Sequence, residues 1–295
     1  MEAKKMIVVS GATGRQGGAV IQHLVRGGNR RVRAITRNAR SARAERLRAL
    51  GVELIEVSLE DAAGLARALE GADGVFSVQN YWEKGVGFEG EIRQGKNLAE
   101  AAKKAGVNHF VQSTMADGQI PLPAALRHFR SKARLEEQID AIGLPRTFLG
   151  TVTFMENLID PKLGGEWTFP LISRFLKPDA PYPMLAVDDI GGIAAAVFAD
   201  PEKYLGRKIN IVSDTPTIPA MKQMYREVTG RSPKRLQFPR WLSRMLNHEF
   251  AAQLEWQSAG GWTFGTDEAG AVYPKLTSFR EFLHKHLIPG RGGRP

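Results

Sequence analysis

The feature that most constrains the fold is a short apolar run followed by three regularly spaced glycines. Met6-Ile7-Val8-Val9 is continuously apolar, which is typical of a strand buried on both faces of a parallel sheet. Gly11, Gly14 and Gly17 follow at a G-x-x-G-x-x-G spacing, and the apolar pattern predicts a helix from about Arg15. A strand, a glycine-rich turn and a helix in this order are typical of a doubly wound α/β domain.

Each glycine has a separate task in such a turn. Gly11 permits the tight turn, Gly14 lets the backbone approach a phosphate, and Gly17 lets the helix pack closely on the strand. The helix N-terminus presents N–H groups and the positive end of the helix dipole to a pyrophosphate. The turn therefore predicts a dinucleotide site, against the alternative of a glycine-rich turn with no ligand. The predicted contact residues are Gly11, Thr13, Gly14, Arg15, Gln16 and Gly17.

The end of the second predicted strand, 31–36, distinguishes between the two nicotinamide dinucleotides. An NAD-binding protein usually carries Asp or Glu here for the ribose hydroxyls, and this chain carries Thr36-Arg37-Asn38. A guanidinium can hold the 2′-phosphate of NADP with two hydrogen bonds, whereas a carboxylate would repel it. We therefore predict NADP(H) as the cofactor, with Arg37 on the 2′-phosphate. The alternative is that Arg37 is a solvated surface charge, as we expect for Arg40 and Arg43.

Strands and helices continue to alternate along the first half of the chain. The predicted strands are 53–57, 74–78, 109–113 and 146–150, and the predicted helices are 41–50, 62–69, 89–105 and 132–142. This order predicts an α/β fold, a doubly wound parallel Rossmann sheet with a smaller α/β C-terminal lobe. The predicted domains are residues 1–158, to which about 184–213 return, and most of 159–295.

The second half has a looser pattern with many prolines and glycines. Its predicted elements are a strand at 208–213 and helices at 187–198, 218–229, 241–258 and 278–287, followed by a disordered tail at 290–295. Asp188 and Asp189 lie in the first turn of their helix, where the dipole favours negative charge, so we expect capping rather than catalysis. The apolar stripe of 241–258 is expected in the core, with a roof over a substrate pocket as the alternative.

Polar and aromatic residues follow the fourth and fifth predicted strands. In an open parallel sheet, ligands bind outside the carboxyl ends of the strands. The segment 79–83 and the end of strand five therefore predict Gln79, Asn80 and Ser113 as cofactor contacts and Tyr81 as a catalytic residue. The alternative for the aromatic side chains of this segment is simple packing at the rim.

Composition excludes several kinds of site. The 295 residues include no cysteine, which rules out disulfides and thiol catalysis, and no zinc-ligand spacing occurs. No run of about 18 apolar residues occurs, and the first strand starts within ten residues, so we expect a cytoplasmic protein with no membrane span and no signal peptide. The net charge of +10 suits an anionic dinucleotide. Direct nucleic-acid binding is disfavoured because no binding motif accompanies the arginine-rich region at 26–48.

Several segments together resemble the NmrA-like family of atypical short-chain dehydrogenase/reductases. The segments are Gly11-Ala-Thr-Gly-Arg-Gln-Gly-Gly18, Thr36-Arg37-Asn38, Asn80-Tyr81-Trp82-Glu83, Gln94-Gly95-Lys96 and Phe154-Met155-Glu156-Asn157-Leu158. The resemblance covers roughly residues 5–287 and implies an NADP(H)-binding Rossmann domain with a small C-terminal lobe. It also implies that Phe154 and Asn157 approach the nicotinamide or substrate, with plain core packing as the alternative for Phe154. At Val57-Ser58, where relatives often carry Gly-Asp, the chain departs from the family pattern, so the resemblance does not predict adenine contacts at these two residues.

The candidate catalytic residues lie in the stretch 128–132. Ordinary members of the dehydrogenase superfamily use a tyrosine and a lysine four residues later, and the lysine lowers the pKa of the phenol. Here Lys132 is present, whereas His128 stands at the tyrosine position. By resemblance, Lys132 binds the nicotinamide ribose or acts as acid and base. His128 either moves a proton or is only a polar residue at a helix start, with Ser131 as the N-cap.

Two functions of different classes remain open from the sequence. The first is a dinucleotide-sensing redox or transcriptional regulator with weak or no turnover, which the missing tyrosine favours. The second is an NADPH-dependent reductase of a small quinone or carbonyl compound, which Lys132 and Tyr81 permit. A protein partner, a small-molecule substrate and a homodimer are all compatible with this sequence.

Overall fold

The structure is a computed structural model, and the residues it describes are 4–160, 168–233, 239, 241, 245 and 248–288. The chain divides into two compact units. The first consists of Met1–Ala116, His128–Gly150 and Ile190–Asn210, and the second of Asp117–Arg127, Thr151–Asp189 and Ile211–Pro295. The sequence predicts domain boundaries near residues 158, 184 and 213. The chain passes from one unit to the other after residues 150, 189 and 210, and also after residues 116 and 127.

Strands of the described residues fall into a large and a small sheet. They are β1 (Met6–Val9), β2 (Arg31–Thr36), β3 (Glu53–Glu56), β4 (Gly74–Ser77), β5 (His109–Met115), β6 (Arg146–Thr151), β7 (Thr153–Phe154), β8 (Met184–Leu185) and β9 (Lys208–Ile211). Seven of them form one sheet in the order β3-β2-β1-β4-β5-β6-β9, and the pairs from β3 to β5 are parallel. This is the doubly wound arrangement that the sequence predicts.

Helices of the described residues agree with most of the predicted segments. They are α1 (Arg15–Gly27), α2 (Ala42–Ala49), α3 (Ala62–Ala68), α4 (Gly87–Lys104), α5 (Arg127–Ile142), α6 (Thr168–Phe175), α7 (Val187–Ala199), α8 (Pro201–Tyr204), α9 (Ile218–Thr229), α10 (His248–Ser258), α11 (Asp267–Val272) and α12 (Phe279–Leu287). Side chains of Ser41, Asp61, Thr217 and Ser278 accept hydrogen bonds from first-turn N–H groups, which fixes where α2, α3, α9 and α12 begin. None of these described helices is both long and apolar enough to cross a membrane.

The predicted start of α5 is wrong. The helix begins at Arg127 rather than near Lys132, so Ser131 lies inside the helix and is not its N-cap. The Ser131 hydroxyl hydrogen-bonds to the Glu91 carboxylate and to the carbonyl oxygen of His128. A serine that bonds back to its own helix in this way is compatible with an interior position.

The central strands of the parallel sheet in the first unit are buried, and a hydrophobic core packs against them. All four residues of β1 are buried, as the continuous apolar run predicts. Its core includes apolar side chains of the sheet, of α3, α4 and α5, such as Val8, Leu65, Leu98, Phe110 and Leu135. The carboxyl ends of β1 and β4 lie side by side where the strand order reverses, which is where a doubly wound sheet binds ligands.

The second unit has its own core and a two-stranded parallel sheet of β7 and β8. Both Asp188 and Asp189 lie in the first turn of α7, as predicted. The buried Asp189 carboxylate also accepts hydrogen bonds from the Ser213 hydroxyl and from both the N–H and the hydroxyl of Thr277. Burial raises the pKa of this carboxyl group. Parts of the predicted helix 241–258 and the predicted tail 290–295 lie outside the described residues.

Candidate functional site

The glycine turn between β1 and α1 has the backbone geometry that its sequence predicts. Gly11 has a positive φ of 57°, and its carbonyl oxygen accepts a hydrogen bond of 2.8 Å from the Gly14 N–H. A Cβ at Gly11 would lie 2.7 Å from Cγ1 of Val78, so space and backbone conformation both exclude a side chain. Gly14 precedes the first residue of α1 and has no side chain to cap it. An uncapped turn of this kind suits an anion at the helix N-terminus.

Gly17 brings α1 directly against the turn. A Cβ at Gly17 would lie 2.5 Å from the carbonyl oxygen of Gly11 and 2.7 Å from that of Ser10. These distances are shorter than a non-bonded carbon–oxygen contact, so any other residue would push the helix away from the strand. The predicted close packing of helix on strand is therefore confirmed.

Ser10, which the sequence pattern does not single out, joins β1 to the residue that follows β4. Its fully buried hydroxyl donates a 3.1 Å hydrogen bond to the Val78 carbonyl oxygen and accepts one of 2.8 Å from the Val78 N–H. Both backbone groups of Val78 are thereby satisfied beside Gly11. The pair holds the two strand ends together at the reversal of the sheet order.

Two predicted cofactor residues, Gln16 and Ser113, are brought together by the fold. The Ser113 hydroxyl at β5 donates a 2.6 Å hydrogen bond to Oε1 of Gln16 in the first turn of α1. Gln79 is buried and bonds to Ser77 at 2.9 Å and to Gln112 at 3.0 Å. The Gln79 side chain thus takes part in a polar network under the strand ends, which the sequence did not reveal.

Arg37 lies at the end of β2 and forms an ion pair with Glu83. Its side chain is 68% exposed, whereas that of Glu83 is 28% exposed. Arg43 donates a 3.2 Å hydrogen bond to the Thr13 carbonyl oxygen, which brings a second guanidinium to the glycine turn. The sequence predicts a solvated surface charge for Arg43, whereas in the structure its guanidinium contacts the backbone of the glycine turn.

The segment 80–87 after β4 is folded by its own hydrogen bonds. Oδ1 of Asn80 accepts from the Trp82 N–H at 3.3 Å, and the Asn80 carbonyl oxygen accepts from the Glu83 N–H at 3.1 Å. The ring of His128 on α5 lies 5.9 Å from the Tyr81 ring and 5.1 Å from the Trp82 ring, measured between centroids. The fold therefore brings together two of the predicted catalytic residues, Tyr81 and His128, as members of an aromatic cluster.

Lys132 lies one turn further along α5, where it forms an ion pair with Glu91 of α4. Its Nζ is 2.5 Å from Oε1 of Glu91, whose side chain is fully buried, while the Lys132 side chain is 21% exposed. Ser131 donates to the other carboxylate oxygen. Glu91 lies four residues before Gly95 and seven before Leu98, on the buried side of α4. A charged residue on this otherwise apolar stripe is the sequence signal that marks Glu91 as unusual.

Phe154 and Asn157 belong to the second unit. Phe154 is half-buried at the end of β7 and immediately precedes a 3₁₀ turn, Met155–Leu158, that contains Asn157. Glu156 of this turn accepts a 3.0 Å hydrogen bond from the Val187 N–H at the start of α7. Their predicted approach to the nicotinamide stays a prediction.

The first unit brings together backbone and cationic groups that are suited to binding an elongated anion. An uncapped helix N-terminus faces the strand ends, Arg37 supplies a guanidinium at one side, and Lys132 supplies an ammonium group held by a buried carboxylate. The described parts of the chain contain no cluster of three or more His, Asp or Glu side chains suited to a metal ion.

Known proteins with similar chains and structures agree with this picture of the fold. The chain is 30% identical over 254 residues to the NmrA-like family domain-containing oxidoreductase lnaB of Aspergillus flavus, an alignment covering 78% of this chain and 75% of lnaB. A crystal structure of NmrA, a negative transcriptional regulator in complex with NADP, is similar with a TM-score of 0.76 and 23% identity, over 97% of this chain and 96% of NmrA. Triphenylmethane reductase of Citrobacter sp., complexed with NADP(H), is similar with a TM-score of 0.75 and 23% identity, over 96% of this chain and all of that one, 100%.

The sequence itself matches a family model over nearly its whole length. The model is described as the NmrA-like family and aligns with residues 3–283, which include the glycine turn and most of the second unit. The protein is therefore a member of the NmrA-like family.

Proposed function

We propose that this protein binds NADP(H) at the turn between β1 and α1. The observation that carries the proposal is a backbone surface at which Gly11 and Gly17 exclude side chains, with Arg37 at the end of the neighbouring β2. Such a surface fits a pyrophosphate, because only glycine lets the backbone and the helix N-terminus come so close to it. The residues of the first unit that we propose to hold the dinucleotide are Gly11, Thr13, Gly14, Arg15, Gln16, Gly17, Arg37, Gln79, Asn80, Ser113 and Lys132.

The choice of NADP(H) over NAD(H) rests on Arg37. Its guanidinium can form two hydrogen bonds with a 2′-phosphate. In this structure the guanidinium pairs with the carboxylate of Glu83, so it already binds an anionic group. NmrA has been crystallised with NADP and also with NAD, triphenylmethane reductase has been crystallised with NADP(H), and both proteins share this fold. These neighbours support a nicotinamide dinucleotide as the cofactor class, whereas the preference for NADP(H) is carried by Arg37.

We further propose that the protein is a dinucleotide-sensing redox or transcriptional regulator with weak or no turnover. In the superfamily, a free lysine charge lowers the pKa of a phenol four residues earlier. Here the Lys132 charge is paired with Glu91, and the residue four positions earlier is His128, packed among aromatic rings. A ribose-binding lysine needs only a fixed position, which the buried carboxylate gives it. Binding of a dinucleotide without turnover therefore suits the paired Lys132 and the absence of a tyrosine at position 128.

A second candidate function is an NADPH-dependent reductase of a small quinone or carbonyl compound. It is favoured by the relatives, because lnaB is named an oxidoreductase and a structural neighbour is a triphenylmethane reductase. Bound NADPH would supply a hydride to the substrate. In this case Lys132 would orient the cofactor, and Tyr81 or His128 would hold a proton near the reduced oxygen.

Calorimetry followed by a turnover assay separates the two functions. The full-length protein is titrated with NADPH, NADP⁺ and NADH, and a panel of quinones and aldehydes is then added while the reduced-nicotinamide absorbance is followed. Tight binding of NADPH and NADP⁺ with no oxidation of NADPH supports the sensor. Steady oxidation with any panel compound, lost in Lys132→Ala but retained in the control Lys96→Ala, would replace the sensor with the reductase. A chain that binds none of the three dinucleotides contradicts both.

A further inference from the structure

We infer that Glu83 is a specificity-determining residue that occupies Arg37 until a 2′-phosphate displaces it. The inference rests on the proposed NADP(H) site and adds a residue and a mechanism to it. The starting observation is the ion pair between Arg37 at the end of β2 and Glu83 in the segment 80–87. The guanidinium proposed to recognise the cofactor's extra phosphate is thus already bound to an anion that belongs to the chain.

Glu83 is held at this position by its own segment. Its N–H donates to the Asn80 carbonyl oxygen at 3.1 Å, and its carbonyl oxygen accepts from the Val86 N–H at 3.0 Å. The Gly87 N–H closes the segment with a 3.2 Å hydrogen bond to the Tyr81 carbonyl oxygen. Gly85 and Gly87 have φ angles of 85° and 55°, which a glycine adopts without strain. The Glu83 carboxylate is therefore presented to Arg37 by a preformed turn.

The same segment contacts α5 through its aromatic side chains. Trp82 is 65% exposed, and its ring lies against His128, one helical turn before Lys132. The segment 80–87 thus connects Arg37, at the adenosine side of the proposed site, with α5, at the nicotinamide side. Because Trp82 and Glu83 are consecutive residues, we expect a movement of Glu83 to change the surroundings of the Trp82 ring.

The Glu83 carboxylate and a 2′-phosphate compete for Arg37, and their charges decide which of them binds. A 2′-phosphate carries roughly two negative charges at neutral pH and offers three oxygen atoms to the guanidinium. It therefore outcompetes one carboxylate, and the displaced Glu83 is repelled by the bound phosphate. The 2′-hydroxyl of NAD(H) carries no charge and leaves the pair intact. Binding of NADP(H), but not of NAD(H), is thus coupled to movement of the segment 80–87.

Two small probes isolate this step because they differ only in the 2′-phosphate. Adenosine 2′,5′-bisphosphate and adenosine 5′-monophosphate are titrated by calorimetry into the wild-type protein, E83Q and the control E89Q, which removes the same charge from the exposed first turn of α4. We expect E83Q to bind the bisphosphate roughly two- to fivefold more tightly, the range for loss of an exposed ion pair. Binding of the monophosphate should be unchanged, E89Q should resemble the wild type, and E83Q should have no effect in an R37Q background.

A second readout keeps Glu83 in place. With excitation of tryptophan alone, the bisphosphate should change the fluorescence of the wild-type protein and the monophosphate should not, and W82F should remove the difference. The inference is overturned if the wild type binds NADPH but does not prefer the bisphosphate, if E83Q binds the bisphosphate equally or more weakly than the wild type, or if the fluorescence does not distinguish the probes. A wild-type protein that binds neither probe nor NADPH contradicts the proposed function instead.

Discussion

Two of the cationic side chains of the candidate site, Arg37 and Lys132, form ion pairs of different exposure. Arg37 and Glu83 are 68% and 28% exposed, whereas Lys132 and Glu91 are 21% and 0% exposed. An exposed pair exchanges partners at little cost, but a pair with one fully buried member does not. Because of this difference in exposure, we expect Arg37 to exchange Glu83 for another anion, whereas Lys132 should stay paired with Glu91.

Reversal of the charge at position 37 tests the choice of cofactor. Arg37→Glu should weaken NADPH at least tenfold, because a carboxylate repels the 2′-phosphate, while NADH binding changes by less than about twofold. Calorimetric titration with both dinucleotides measures this difference, and Arg40→Glu is the matched control for a nearby surface arginine. Equal weakening of NADPH and NADH by Arg37→Glu would mean that Arg37 does not contact the 2′-phosphate.

Loss of Lys132 should affect folding as well as binding. Lys132→Ala leaves the carboxylate of Glu91 buried without its cation, which should lower the free energy of unfolding by about 3 kcal/mol. The double variant Lys132→Ala with Glu91→Gln should recover most of this loss, because no buried charge remains. Urea unfolding gives the values. Lys96→Ala, which breaks an exposed pair with Glu100, should change stability by less than about 0.5 kcal/mol.

At the scale of helices and strands, the sequence predicts those features that are determined by residues close together in the chain. The apolar run of β1, the glycine spacing and the position of Arg37 after β2 were all predictable because each is a local pattern. The partners of Ser10 and Glu91 were not predictable, because Val78 and Lys132 lie 68 and 41 residues away, even though a charge on the apolar stripe of α4 marks Glu91 itself. The start of α5 was mispredicted for a related reason, since Ser131 looks like an N-cap until its bond to Glu91 is known.

The junction between α7 and α12 gives a prediction for a single element. Asp189 accepts hydrogen bonds from both the N–H and the hydroxyl of Thr277, just before α12 begins. Asp189→Ala leaves these donors and the Ser213 hydroxyl without an acceptor, so it should destabilise the second unit by about 2–3 kcal/mol. Hydrogen exchange should report faster exchange in Phe279–Leu287.

The neighbouring acidic residue supplies the control for this element. Asp188 is in the same turn but is partly exposed, and its carboxylate is 3.3 Å from Nζ of Lys285. Asp188→Ala should change stability by less than about 1 kcal/mol and leave the exchange of α12 nearly unchanged. Similar exchange in both variants would show that Asp189 has no special role in holding α12.

On the scale of the whole molecule, one buried histidine makes stability depend on pH. His109 is buried, and its Nε2 lies 2.8 Å from the Thr147 hydroxyl, which itself donates to the Tyr204 carbonyl oxygen. The ring therefore donates through Nε2, and Nδ1 has no hydrogen-bond partner among the described residues. Burial lowers the pKa of His109 from 6.5 to about 4, because a proton on Nδ1 would be a buried charge.

The direction of the pH effect follows from this lowered pKa. Between pH 6.5 and 4, the unfolded chain binds a proton at His109 and the folded chain does not, so the free energy of unfolding falls as the pH falls. The loss should amount to about 3 kcal/mol over this window. His109→Gln should be less stable at neutral pH but should lose less stability on acidification. Urea unfolding at pH 7 and pH 4.5 measures both slopes, and identical slopes would contradict the assignment.

One close contact in the first unit has a consequence for how the protein is made on the ribosome. A Cβ at Gly191 of α7 would lie 2.5 Å from the carbonyl oxygen of Ala19, so α7 packs directly on the helix that follows the glycine turn. The outer strand β9 pairs with β6 and comes later still, at Lys208–Ile211. A nascent chain of 160 residues therefore has an open sheet edge, and the face of α1 at Ala19 is not yet covered by α7. Dinucleotide capture should begin only after about fifty further residues have emerged, which makes the cofactor a late ligand of the growing chain.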